Sequence, residues 1–402
     1  MLNINKFISD SITKRKDSFF TSDLTKFHDE LSKAIGGKSI LVIGGAGTIG
    51  SSYIRSVLKY KPSKLYVADI SENSLTELTR DLRSTSGGYV PGDYKTYPIN
   101  YNDDVFYRML SNEDPFDIVA NFSAHKHVRS EKDHYSITAL LENNVIRAEK
   151  FMRVLAQNPP EHFFCVSTDK AANPVNIMGA SKKMMEEMIM AYASYFPVTT
   201  ARFANVAFSN GSLLDGFIQR MMKRQPFAVP TDVKRYFVSP DESGQICMMA
   251  CMLGQTGEIF FPKLEEHQLT SFSDITEAFV KSMGMEVLPF DSEQDAREYA
   301  AVMPEDTKFW PVCYFNSDTS GEKSFEEFFT EGEALDLDTF HSLGVIRNAP
   351  RRSLEEIHRM IGDLKNVLLR PGVEKADIVQ VMQTFLPNFH HIETGKSLDQ
   401  KM

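Results

Sequence analysis

The sequence is poor in the features that would tie it to a disulfide framework, a metal or a membrane. Four cysteines occur in 402 residues, Cys165, Cys247, Cys251 and Cys313, and none falls in a CxxC or Cys/His spacing typical of zinc. Cys247 and Cys251 suit one face of a helix, so the four are expected as reduced core residues of a cytoplasmic protein with no metal. The N-terminal stretch MLNINKFISDSITKRKDSFF lacks the uninterrupted apolar run of a signal peptide or membrane span, and none occurs downstream. Membrane insertion is therefore not expected. Excess positive charge is also missing. A net charge of −10 gives no reason to expect nucleic-acid binding, and an anionic ligand would need dedicated donors. There is no internal repeat and no low-complexity tract.

What is present is an alternation of short apolar runs and helical patterns. SILVIGG, a β-branched run bounded by glycine, fits a parallel strand covered on both faces. A helix near 48–60 follows, then strand KLYVADI, a helix near 73–84, a strand near YKTYPI, a helix near 103–111 and strand DIVANFSA. A longer helix near 136–157 leads to strand HFFCVST and a helix over 178–195. Strands separated by helices predict an α/β fold, a Rossmann-type doubly wound parallel sheet. The expected division is an N-terminal helical extension over 1–37, a nucleotide-binding domain over 38–200, a smaller substrate lobe over 201–334 interleaved with the last sheet strands, and a helical tail over 335–402.

Gly44, Gly47 and Gly50 have the GxxGxxG spacing in GGAGTIG, after a strand and at the start of a helix. Glycine permits the tight turn and the close approach of backbone to a pyrophosphate, whose charge the helix N-terminus stabilises through its amides, here those of Thr48 and Ile49. A flexible turn would also use glycine, but the flanking strand and helix favour the nucleotide loop. Asp69 closes the next strand some twenty residues on. A carboxylate there accepts hydrogen bonds from both adenosine ribose hydroxyls and repels a 2′-phosphate, which favours NAD over NADP. Asn100 and Tyr101, after the third strand, are placed to flank the adenine, and Phe122, Ser123 and Ala124, after the fourth, to line the cofactor; packing or loop roles are equally compatible with these five.

The stretch VSTDKAANPVNIMGASK has the outline of a dehydrogenase site. Lys182 lies four residues after Met178, on a neighbouring turn of the same helix face, and Thr168 ends the preceding strand. A tyrosine would be expected at Met178, and a thioether cannot exchange a proton with a sugar hydroxyl. Asp169 and Lys170 place an acid and a base candidate at the same strand end. Such a pair suits an enzyme that removes a carbon-bound proton and protonates a leaving hydroxyl as well as moving hydride.

FSAHKHV (122–128), STDKAANPVNIMGASK (167–182), RFANVAFSNGS (202–212), KRYFVSP (234–240), GEIFFPKL (257–264) and SGEKSFEEFF (320–329) together resemble the polysaccharide-biosynthesis branch of the extended short-chain dehydrogenase/reductases. That branch contains the UDP-N-acetylglucosamine 4,6-dehydratases, some of which carry methionine in place of the tyrosine. The resemblance, which runs in order from about 38 to 330, implies a cycle of C4 oxidation, loss of water across C5 and C6, and C6 reduction, with NAD as cofactor. It also implies Lys170 as the C5 base, Asp169 as the acid for the C6 hydroxyl and a candidate for the tyrosine's part in C4 oxidation, Thr168 as a hydrogen-bond partner of the C4 oxygen and Lys182 as the ligand of the nicotinamide ribose. Lys126, Asn205, Ser209, Asn210, Ser212 and Arg235 are the expected contacts to a nucleotide-sugar substrate, UDP-N-acetylglucosamine first among them.

Two positions depart from the family pattern. Asn210 and Thr319 stand where many relatives have arginine, which removes positive charge near the substrate phosphates; either another basic residue replaces it, with Arg202, Lys234 and Lys323 the candidates, or the nucleotide differs. In the tail, Leu354, Ile357, Met360, Ile361, Leu364 and Val367 follow helical spacing and mark a buried face, covered by the chain itself or by a partner subunit. A homo-oligomer suits the fold. A nucleotide-sugar 4-epimerase and a non-catalytic dinucleotide-binding scaffold are the competing functions. Neither explains Asp169 and Lys170 side by side.

Overall fold

The computed structural model describes residues 3–317, 321, 323 and 325–395. Its centre is a nine-stranded sheet. The strands β1 (Ser39–Ile43), β2 (Lys64–Ala68), β3 (Asp93–Tyr97), β4 (Ile118–Asn121), β5 (His162–Val166) and β6 (Val198–Ala201) lie in the order β3-β2-β1-β4-β5-β6, all parallel. Strand Glu258–Pro262 continues the parallel run beside β6, and Leu343–Ile346 and then Leu335–Asp336 close that edge antiparallel. This is the expected doubly wound sheet. Its inner strands are apolar because helices cover both faces, whereas β3, at the other edge, reads DYKTY and is partly exposed.

Register aligns the strand ends. Ile43 sits opposite Ala68 and Asn121, Asn121 opposite Cys165, and Val166 opposite Ala201. The loops that follow, starting at Gly44, Asp69, Phe122 and Ser167, therefore emerge along one rim, where a sheet of this order forms its crevice between β1 and β4.

The helix expected over 136–157 is divided. Helical turns at His134–Leu141 and Arg147–Leu155 flank a wide π-type turn at Glu142–Ile146. The widening has local causes. The Tyr101 hydroxyl donates to Asn143 O at 2.9 Å, and the Asn144 side chain clasps the His125 backbone through both its N–H and its carbonyl, each at 2.9 Å.

A second core lies in the smaller lobe, around Phe217, Phe227, Phe279, Trp310 and Val312. Its three-stranded sheet places Phe309–Phe315 between Glu286–Phe290 and Phe227–Pro230, all parallel. The N-terminal segment joins both cores: Phe7, Ile8 and Ile12 are buried in the small lobe, and Phe20, Leu31 and Ile35 against the main sheet. In the tail, helices Leu354–Leu368 and Lys375–Phe385 pack on each other and on helix Ile177–Ala191. Ile357, Met360, Ile361, Leu364 and Val367 are buried there, so the chain's own residues cover the periodic face.

Candidate active site

A cleft of about 380 Å³ opens at the strand rim. The glycine loop forms its floor. Gly44 has φ +71°, and a Cβ on it would lie 2.7 Å from Ser123 N; at Gly50 a Cβ would lie 2.4 Å from Gly44 O. At Gly47, by contrast, a Cβ would meet only Gly44 O at 3.5 Å, so this residue faces the cleft. Gly47 caps helix Thr48–Leu58 without a side-chain hydrogen bond and without an acidic residue in the first turn. The open first-turn amides fit a diphosphate. Asp69, at the next strand end, accepts from Ala46 N at 3.0 Å and Ser71 N at 2.9 Å, which fixes its carboxylate beside the loop.

Thr48, Ile49, Asn100, Phe122, Ser123 and Ala124 line the same cleft, as do Lys126 and Asn210. Asn210 N donates to Thr48 Oγ1 at 3.0 Å, and Lys126 Nζ to Asn210 O at 2.9 Å, so the loop 209–212 reaches across to the glycine-loop helix. Tyr101 lines the cleft as well. Its ring packs edge-on against Phe151 and only 2% of the residue is exposed. The first residue beyond Asn100 turns inward, so Tyr101 borders the cleft from the core. Ile70, 77% exposed, and Ile99 border the same cleft. Arg147, which the sequence did not single out, also lines it, 2.7 Å from Glu142. Among Glu142, Asn143, Asn144, Glu149 and Lys150, one more charged residue gave no signal.

The residues quoted for chemistry form a second group beyond β5. Thr168 Oγ1 donates to Asp169 Oδ1 at 2.8 Å, Lys170 N to the same oxygen at 2.9 Å, and Lys170 Nζ to it at 3.1 Å. Asp169 is buried. Lys170 Nζ also lies 3.7 Å from Glu326 Oε1, which is 3.9 Å from Arg235 NH2. Burial pushes the Glu326 carboxyl above its ordinary range, with Asp169 adding to the shift while Lys170, Arg235 and Lys323 oppose it. Glu326 belongs to the quoted SGEKSFEEFF stretch but carried no expected role; only the fold brings it to Lys170.

Met178 and Lys182 lie on the helix Ile177–Ala191 and are 3% exposed each. Lys182 Nζ donates to Val166 O at 2.7 Å and contacts Met185 Sδ at 3.4 Å. Burial pushes its pKa down, with Cys165 and Glu186 opposing. Met178 N donates to Glu131 Oε1 at 3.3 Å.

Among the expected substrate contacts, Ser209 O accepts from Ser212 N at 2.8 Å, and the Ser212 side chain caps helix Leu213–Met222. Asn205 N bonds Tyr236 O at 3.1 Å in a short parallel pairing with 237–238. Arg202 cannot replace a phosphate ligand. It is fully buried and bonds both carboxylate oxygens of Glu186 and of Glu333 at 2.8–3.0 Å. Lys323 Nζ donates to Asn173 O at 2.6 Å, and Thr319 lies outside the described residues. Among the described residues no group of His, Cys, Asp and Glu has the arrangement of a metal site.

Among curated relatives, an uncharacterized membrane protein of Methanocaldococcus jannaschii, MJ1061, is 29% identical over 315 residues, 77% of this chain and 85% of that protein. The UDP-N-acetylglucosamine 4,6-dehydratase (inverting) of Campylobacter jejuni is 26% identical over 248 residues, 59% of this chain and 70% of that one. The UDP-glucose 4-epimerase of Rickettsia bellii is 27% identical over 240 residues, 56% and 66% of the two chains. Of solved structures, Pen from Bacillus thuringiensis shares the fold with a TM-score of 0.63 at 21% identity, covering 84% of this chain and 99% of that one. Residues 40–347 match the polysaccharide biosynthesis protein family, and the chain therefore belongs to that family, within the extended short-chain dehydrogenase/reductases.

Proposed function

We propose that the chain is an NAD-dependent nucleotide-sugar 4,6-dehydratase whose substrate is UDP-N-acetylglucosamine. The observation that carries this reading is the hydrogen-bonded group Thr168, Asp169 and Lys170, which puts an acid and a base in contact at one strand end, next to a helix with Met178 at the tyrosine position. The dehydratase relative in Campylobacter jejuni supports it. NAD, held by the glycine loop and Asp69, supplies the hydride acceptor for C4 and the hydride donor for C6.

The chain's own residues handle the protons. Thr168 Oγ1, which donates to Asp169 Oδ1, accepts from the C4 hydroxyl and passes its proton to the Asp169 carboxylate as hydride leaves C4. Lys170 takes the C5 proton, made acidic by the C4 ketone, and Asp169 gives a proton to the C6 hydroxyl, which departs as water. As hydride returns to C6, the protonated Lys170 delivers a proton, exchanged with solvent in the meantime, back to C5, and both groups end the cycle as they began it. Lys182 contributes positive charge beside the oxidised ring. The net change is loss of one water, and the sugar becomes a 4-keto-6-deoxy-N-acetylhexosamine. Among the described residues no helix is long and apolar enough to cross a membrane.

Proton NMR of the NAD-loaded protein with UDP-N-acetylglucosamine in deuterated water tests the reading. A C6 methyl singlet, collapsed from a doublet by deuterium at C5, is the expected product signal. The second reading, a 4-epimerase, has the Rickettsia bellii relative in its favour. It gives an inverted C4 and no methyl. Bound cofactor with no turnover would leave a scaffold.

A further inference from the structure

Helix Ile177–Ala191 begins with its first-turn amides directed at two different partners. Asn176, the N-cap, accepts from Gly179 N at 2.7 Å, an ordinary local cap. The amide one residue earlier, Met178 N, is taken by Glu131 Oε1 at 3.3 Å, from the turn Val128–Glu131. A carboxylate at a helix N-terminus satisfies an orphan donor and is favoured by the helix dipole. Glu131 is 4% exposed, and its other oxygen faces His391 Nε2 at 3.0 Å, 260 residues along the chain.

The strap that carries His391 makes two more bonds at the same place. Ile392 N donates to Val175 O at 2.9 Å, just before the helix, and Ile392 O accepts from Gly321 N at 3.0 Å. Asn176 Nδ2 completes the tie by donating to Gly321 O at 2.8 Å. Phe389, 1% exposed and packed edge-on against His391, anchors the strap. One short segment thus joins the helix of Met178 and Lys182 to the stretch leading to Glu326. It lies outside residues 40–347, which match the family.

We propose that His391 and Glu131 are positioning residues of the active site: the C-terminal strap locks the start of the Met178–Lys182 helix to Gly321, near Glu326 in the chain, and so sets the spacing around Lys170. None of these bonds involves the glycine loop or Asp69, so the anchors of the diphosphate and adenosine do not depend on the strap; only Lys182, on the nicotinamide side, lies on the helix that it ties. Its kinetic arm rests on the dehydratase reading; its structural arm does not.

The test uses the full-length, NAD-saturated protein and the variants H391A, H391Q and E131Q. Hydrogen exchange of the peptide over 173–181 is expected to rise about tenfold or more in H391A and in E131Q, with little change in the glycine loop. H391Q, whose amide can still donate to Glu131, recovers most of the protection. Methyl-product formation is expected to fall on the order of tenfold to a hundredfold in kcat for H391A, as a displaced catalytic group requires, while the Kd for NAD stays within about twofold. Unchanged exchange and rate in H391A would overturn the proposal. So would a loss of NAD affinity and melting temperature in step with the rate, because the pair would then be a general stabiliser. If the wild type makes no methyl product, the dehydratase reading fails and the exchange arm alone decides the strap.

Discussion

Replacing Arg202 by methionine separates a structural guanidinium from a phosphate ligand. Arg202 follows β6, has no exposed surface, and uses all five of its N–H groups: two on Glu186, two on Glu333 and one on Phe328 O at 3.0 Å. Glu186 also accepts from Ser167 Oγ at 2.6 Å, beside Thr168. Burial alone would raise the Glu186 pKa; the charge and hydrogen bonds of Arg202 outweigh it and hold the group at about 2. Against an ordinary value of 4.5, that depression corresponds to about 3 kcal/mol. Removing one partner of a buried pair costs about 3–5 kcal/mol, which agrees. Because the folded pKa is depressed, this stabilisation is complete above about 4.5 and is lost as pH falls towards 2. Urea unfolding at neutral pH, followed by circular dichroism for the whole chain and by Trp310 fluorescence for the small lobe, should show a loss of about 3–5 kcal/mol for R202M and a smaller loss for R202K. A loss below about 1 kcal/mol, joined to a raised KM for the nucleotide sugar, would refute the reasoning and return Arg202 to the substrate.

K170M should slow deuterium entry at C5 by about 10²–10⁴-fold while NAD reduction by substrate persists, since proton removal and hydride transfer use different groups; single-turnover absorbance at 340 nm alongside NMR checks both. G50A places a Cβ 2.4 Å from Gly44 O and 2.8 Å from Gly45 Cα, backbone that can give only by distorting the loop; calorimetry should show NAD binding weakened by about tenfold or more. Burial holds the part-buried His162 down to about 4. Folding thus favours its neutral ring, and that stability is complete above about 6.5 and shrinks by about 1.4 kcal/mol per pH unit as pH falls from there towards 4. H162Q should flatten this stretch of the stability profile in denaturant titrations, and an unchanged slope would contradict the assignment.

The parts of the molecule that were legible in the sequence are those written locally. Apolar runs such as SILVI and HFFCV specify strands, the glycine spacing specifies the loop after β1, and Thr168, Asp169 and Lys170 are neighbours in sequence as in space. What was hidden depends on distant pairings. The small-lobe sheet joins 227–230 to 286–290 through 309–315, with no periodicity to reveal which short run meets which. Phe7, Ile8 and Ile12 look like any amphipathic segment, and only the fold shows them in the second core. Glu326 and Glu131 are ordinary acidic residues in charged stretches until burial sets them against Lys170 and Met178. Arg202 suggested a phosphate ligand because a cationic residue near a phosphate site is easily read so; two carboxylates that the sequence places 16 and 131 positions away claim it instead.

The order in which the main sheet is completed bears on how the protein is made. Strand Glu258–Pro262 pairs with β6 on one side, but its other side is covered only by Leu343–Ile346, after the 80 residues from 263 to 342. At a synthesis rate of about 5–20 residues per second, those residues take roughly 4–16 seconds to emerge. During that interval the nascent chain carries EIFFP as an unpaired sheet edge, with two adjacent phenylalanines and its hydrogen-bonding groups unmet on one side. Neighbouring ribosomes on one message would present the same edge to each other, so crowded translation, rather than the finished fold, is where this protein is most exposed to aggregation.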